Sequence, residues 1–127
     1  MSRPAIPNDQ RLIVALDLPS GNEARELVEA LGDSVSFYKV GLELFTGADG
    51  FAVVDWLSTY GKQVFVDLKF FDVPATVARA VKQLHGRNIA FATVHGNDAI
   101  MQAAAEVSGD VGILAVTVLT SLDSADM

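Results

Sequence analysis

Apolar and polar positions alternate along this chain in two rhythms. Short runs rich in β-branched and aliphatic residues occupy positions 12–16, 35–40, 64–68, 89–94 and 113–119. Runs of that length and content predict buried parallel strands. The intervening segments carry the helical spacing instead. Ser20-Gly21-Asn22-Glu23 reads as a capping box, and Ala24, Leu27, Val28 and Leu31 follow on one face. From Asp49 to Tyr60, the residues Phe51, Val54 and Leu57 share a side, and Gly61 ends the segment. Pro74 falls where a first helical turn begins; Val77, Ala80, Val81 and Leu84 continue it and Gly86 closes it. Asn97 or Asp98 caps a fourth helix that runs to Val107.

The predicted order is therefore β-α-β-α-β-α-β-α-β, with short connections and no linker or low-complexity stretch. This is a parallel α/β pattern, read as a single domain over residues 1–127. A doubly wound sheet and part of a (β/α)8 barrel both fit the periodicity.

What terminates each run narrows the chemistry. The first run ends at Asp17, the second at Lys39, the third at Asp67 and Lys69, the fourth at His95, and the fifth at Thr120 and Ser121. In both architectures the C-terminal ends of the strands line the ligand site. The segment Val66-Asp67-Leu68-Lys69-Phe70-Phe71-Asp72 is the most pointed. Asp67 and Lys69 are two apart, so a regular strand projects them from the same face, and Asp72 follows just before the helix that Pro74 opens. The spacing suggests an ammonium between two carboxylates, Lys69 between Asp67 and Asp72, which keeps its proton because opposite charges favour the ionised forms of both. A buried ion pair tying strand to helix is the purely structural alternative, although such pairs are weak stabilisers.

Composition removes several function classes. Half of the chain is hydrophobic and 20% is charged, as expected of a folded domain. Nine basic against 16 acidic residues give a net charge of −7, which argues against nucleic acid and anionic membrane surfaces as partners. There is no cysteine, which excludes disulfides, thiolate metal sites and cysteine nucleophiles. Two histidines do not make a His-rich metal site. His85, in the last turn of its helix, reads as structural, whereas His95 is open between site and hydrogen-bonded core. Phe51, Trp56, Tyr60 and Phe65 read as core. No G-x-G-x-x-G or Walker pattern is present, so Gly47 and Gly50 read as turn or helix-start glycines. The opening MSRPAIPNDQ lacks a signal-like apolar stretch and no run approaches ~18 apolar residues, which predicts a cytoplasmic protein.

With those residues in view, the stretch Asp67-Leu68-Lys69-Phe70-Phe71-Asp72-Val73-Pro74-Ala75-Thr76 resembles the D-x-K-x-x-D segment of orotidine 5′-phosphate decarboxylases. Ala15-Leu16-Asp17, Tyr38-Lys39-Val40-Gly41, Thr93-Val94-His95-Gly96 and Ala115-Val116-Thr117-Val118-Leu119-Thr120-Ser121 resemble that family's other strand ends, in order. The departures are Phe71, where the family often has His, and Ala75, where Asn is usual.

The resemblance implies a (β/α)8 TIM-type barrel, of which this chain supplies about the first five strands. It implies a homodimer with shared active sites, no metal and no cofactor. The implied reaction is decarboxylation of orotidine 5′-phosphate to uridine 5′-phosphate in pyrimidine biosynthesis. Lys69 would stabilise charge at C6 and deliver the proton, and Asp67 would hold Lys69 beside the departing carboxylate. Asp17 and Lys39 would bind the ribose region, with Lys39 joining the charged network, and Thr120 would contact the pyrimidine. Asp72 and Thr76 would reach the partner subunit's site, and His95 and Ser121 are further candidates. A (β/α)8 barrel usually takes ~250 residues and grips phosphate after its seventh and eighth strands. The isolated chain is therefore expected to be inactive. Two other readings compete: a magnesium-dependent sugar-phosphate enzyme of the same superfamily, such as 3-keto-L-gulonate 6-phosphate decarboxylase or hexulose phosphate synthase, and a non-catalytic half-barrel module. The former tends to carry an acid near the place of Lys39.

Overall fold

Strands β1 (Val14–Ala15), β2 (Phe37–Gly41), β3 (Gln63–Phe70), β4 (Ile89–His95) and β5 (Gly112–Val116) form one parallel sheet in the order β1-β2-β3-β4-β5. The computed structural model describes residues 5–47 and 49–125. Strand order following chain order settles the choice that periodicity left open. A doubly wound sheet reverses its order at a switch point, whereas successive barrel strands do not.

Helices α1 (Gly21–Leu31), α2 (Leu42–Gly47), α3 (Gly50–Thr59), α4 (Pro74–Lys82) and α5 (Asp98–Glu106) fill the connections. Their starts follow from local chemistry. Ser20 caps α1 by accepting from the Glu23 backbone N–H, and its hydroxyl donates to the Glu23 carboxylate. Asp49 caps α3 through the Ala52 N–H, and Asn97 rather than Asp98 caps α5 by accepting from Ala99 and Ile100. Pro74 opens α4, where a missing N–H costs nothing.

Several expectations need correction. The short helix α2 stands between β2 and α3, where Leu42-Glu43-Leu44-Phe45 is too brief to display a period. Strand β5 stops at Val116 rather than 119, because its last partner, His95, ends β4. Tyr60 lies beyond the end of α3 and is 62% exposed, its ring set edge-to-face with Trp56 at 5.0 Å instead of joining the core. His85 is structural, but by a different device. It follows the end of α4, and its ring Nε2 lies 2.7 Å from the Val107 carbonyl at the end of α5.

Alternation along β2 sorts the two faces of the sheet. Tyr38 and Val40 are fully buried in one cluster with Val28, Val53, Leu57, Val64 and Val66. Burying each such aliphatic side chain contributes roughly 1.5–3 kcal/mol, so this helix-covered face anchors the sheet. Phe37 points the other way and stacks on Phe91 at 6.2 Å, with Phe65 edge-on to the same ring. Lys39 shares that second face, two residues further toward the C-terminal end. Apolar rings thus floor this second face and charged groups sit toward its C-terminal end.

Candidate active site

The site is assembled from the ends of β1 to β4. The register aligns Gly41 with Asp67, and Leu16 donates its backbone N–H to the Lys39 carbonyl. Lys39 therefore comes up between two acids: its Nζ lies 3.9 Å from Asp17 and 3.7 Å from Asp67. The same Asp67 oxygen, Oδ2, lies 3.0 Å from Lys69 Nζ. The other oxygen, Oδ1, accepts a 2.7 Å hydrogen bond from the Thr93 hydroxyl.

Asp67 is the hub, and only 13% of its side chain is exposed. Burial alone pushes its carboxyl up. The hydrogen bond from Thr93, the hydrogen bond and charge of Lys69, and the charge of Lys39 outweigh that, so its pKa lies below the ordinary carboxylate value. The arrangement within one chain is thus an acid between two ammonium groups, rather than the ammonium between two acids that the linear spacing suggests.

Regular strand geometry does not deliver Lys69. Val66 pairs with Ala92 and Phe70 with Val94, so Asp67, Leu68 and Lys69 stand opposite Thr93 alone. This is a bulge, a device found near active sites because it re-aims a side chain. Lys69 takes the left-handed backbone conformation, φ 49°, which costs a side-chain-bearing residue roughly 1–2 kcal/mol. Its displaced N–H is satisfied by Thr93 Oγ1 at 3.0 Å. The sequence singled out Lys69 and Asp67 but passed over Thr93, which is 6% exposed and bonds to both.

Thr120 and Ser121 lie in the turn beyond β5, not at a strand end, yet they face the same cleft. It has a volume of about 440 Å³ and is lined by Lys39, Asp67, Lys69, Val116, Thr120 and Ser121 among others. Gly96 keeps this corner tight: its N–H donates to the Val116 carbonyl at 2.9 Å, and a Cβ there would lie 2.8 Å from that oxygen. His95 is exposed and stacks on Phe71 at 4.2 Å, so it belongs to the rim rather than to the core. Asp72 accepts from the Val73 N–H and Thr76 from the Arg79 guanidinium. Among the described residues, neither joins the cluster around Asp67.

Chemically, the mouth presents a lysine whose position is fixed by a carboxylate, beside a second lysine held by the same carboxylate. Such a preorganised cation can stabilise negative charge that develops on a ligand. Among the described residues no three His, Asp or Glu side chains come together as a metal-binding group. No helix among them is long and apolar enough to cross a membrane.

Comparisons with known proteins bear on the family and the fold. The chain is 67% identical over 127 residues to the orotidine 5′-phosphate decarboxylase of Methylococcus capsulatus, covering all of this chain and 52% of that protein. It is 50% identical to the enzyme of that name from Stenotrophomonas maltophilia, covering 54% of its length. The chain thus spans about half the length of the curated relatives it matches. The crystal structure of orotidine 5′-phosphate decarboxylase from Lactobacillus acidophilus superposes with a TM-score of 0.80 at 36% identity, over 90% of this chain and 55% of that one. The corresponding enzyme from Methanocaldococcus jannaschii, complexed with the inhibitor BMP, gives a TM-score of 0.70 at 26% identity, over 82% of this chain and 51% of that one. The five strands are accordingly part of a (β/α)8 barrel. With its residues 10–127 matched by the model of the orotidine 5′-phosphate decarboxylase / HUMPS family, the chain belongs to that family.

Proposed function

We propose that a complete barrel carrying these residues decarboxylates orotidine 5′-phosphate to uridine 5′-phosphate. The observation that carries the reading is the single Asp67 carboxylate shared by Lys39 and Lys69 at the sheet's C-terminal mouth. The bond from C6 of the pyrimidine to its carboxylate breaks, carbon dioxide leaves, and the electron pair stays on C6. No adjacent π system spreads that charge, so the Lys69 ammonium, fixed before the reaction begins, stabilises it electrostatically. Lys69 then transfers a proton to C6 and regains one from solvent. Asp67 lies beside the leaving carboxylate and holds Lys69. Asp17 and Lys39 meet the ribose hydroxyls, and Thr120 the pyrimidine, with Ser121 and His95 as neighbours at the rim. Asp72 and Thr76, whose hydrogen bonds among the described residues are local, serve the site of a second subunit.

The family's description spans two chemistries, and Lys39 supports one of them. The magnesium-dependent sugar-phosphate enzymes tend to carry an acid near the place where this chain has the Lys39 ammonium, which favours a metal-independent pyrimidine decarboxylase. Remote binding of the phosphate supplies energy used at the ring, and that grip is expected from the second half of the barrel. The test is turnover of orotidine 5′-phosphate and of 3-keto-L-gulonate 6-phosphate, side by side, in EDTA and in magnesium. Turnover of the nucleotide in both buffers supports the proposal; turnover of only the sugar phosphate, and only with magnesium, overturns it.

A further inference from the structure

We infer that Thr93 is a positioning residue of this reaction, fixing with one hydroxyl both the carboxylate and the backbone that set where the Lys69 ammonium points. The inference rests on the decarboxylase reading and adds a residue to it. A threonine hydroxyl has one proton and two lone pairs. Here the proton goes to Asp67 Oδ1 at 2.7 Å, and a lone pair takes the Lys69 N–H at 3.0 Å. Asp67 Oδ2 in turn holds Lys69 Nζ at 3.0 Å. The contacts close a ring from the Lys69 backbone through Thr93 and Asp67 back to the Lys69 side chain.

That ring forms where the local backbone is least self-supporting. Three residues of β3 face Thr93 alone, and Lys69 has the left-handed φ of 49° that non-glycine residues avoid. A ladder hydrogen bond is missing at this point, and a buried side chain replaces it. Loss of the hydroxyl opens the ring at two places together. The Lys69 N–H loses its acceptor, and the Asp67 carboxylate becomes free to turn about its last torsion, carrying the ammonium with it. A merely structural hydroxyl would lower stability without preferring the chemical step.

The experiment uses complete barrels carrying the wild-type residue, Thr93→Val, Thr93→Ser and Thr93→Ala, with orotidine 5′-phosphate as substrate and uridine 5′-phosphate as binding probe. Thr93→Val is expected to lower kcat at least tenfold, while KM and product affinity change less than about threefold, since displacing a reacting group by a fraction of an ångström acts on the chemical step. Thr93→Ser, which keeps the hydroxyl, is expected to retain kcat within about threefold. If Thr93→Val does not fold, the pair Thr93→Ser and Thr93→Ala decides: serine active and alanine impaired supports the inference. Serine as impaired as alanine, or valine with wild-type kcat, overturns it. An inactive wild-type protein would instead remove the decarboxylase reading, and this inference with it.

Discussion

Asp67 and Lys69 meet at 3.0 Å across a strand that is bulged between them, so their contact is made by irregular backbone and not by the two-residue repeat of a regular strand. The bulge brings the ammonium over the carboxylate while Thr93 takes up the amide it displaces.

Stability should depend on pH through Asp67. Its folded-state pKa is lowered by Thr93, Lys69 and Lys39 against the upward push of burial. The unfolded value is about 3.9. A depressed folded value means that the stabilisation is fully present above the unfolded pKa and is lost as pH falls through the folded one. Urea midpoints measured from neutral pH down to below pH 3.9 should therefore converge for wild type and Asp67→Asn as the pH drops. Parallel curves over that range would deny the linkage.

Asp72 should act across a subunit boundary. In its own chain its carboxylate accepts from the Val73 N–H and stays out of the Asp67 cluster. Asp72→Asn and Lys69→Ala proteins, each inactive alone, should regain up to about a quarter of wild-type activity after random subunit exchange, because half the dimers are mixed and each holds one intact site. Verified mixed dimers that stay inactive would place Asp72 in its own subunit's site.

Catalysis should not need a divalent cation. Lys39 Nζ, 3.7 Å from Asp67 and 3.9 Å from Asp17, already supplies the positive charge between those carboxylates. Dialysis against EDTA should change kcat/KM by less than about twofold, since no step of the proposed route passes through a metal. A large loss restored by magnesium would favour sugar-phosphate chemistry.

A polypeptide of just these 127 residues should show no measurable turnover and should self-associate. The sheet has open edges at β1 and β5, and Ile13 and Leu114 beside them are exposed. Light scattering and a decarboxylation assay check both points. Turnover that disappears in the Lys69→Ala version would show that a second copy completes the site.

The strand and helix pattern was legible because each element carries its own signal: Ser20 and Asn97 cap, Pro74 opens, and the β-branched runs bury. Asp67, Lys69, Lys39 and Asp17 were legible as strand-end charges, and they do converge. That Lys39 joins their network was implied by the family resemblance; its pairing with Asp67 in particular depends on which strands lie adjacent and in what register. Thr93 was hidden for another reason. Threonine is a good strand former, so within Ile89–His95 it reads as one more β-branched residue. Only the bulge opposite it reveals a hydroxyl with two partners. The boundary of β5 was overrun because Thr117, Val118 and Leu119 have strand-like side chains but no remaining partner on β4.

The central claim is that Lys69, held by Asp67, stabilises charge in the transition state and then gives up the proton. The most direct measurement is the single-turnover rate of carbon dioxide release from orotidine 5′-phosphate by complete barrels with Lys69 and with Lys69→Ala, alongside the Kd of each for uridine 5′-phosphate. The account predicts a rate loss on the order of 10² to 10³ or more, with Kd changed only a few-fold, as for an interaction made only in the transition state. A rate within about threefold of wild type, with the loss appearing in Kd instead, would contradict it.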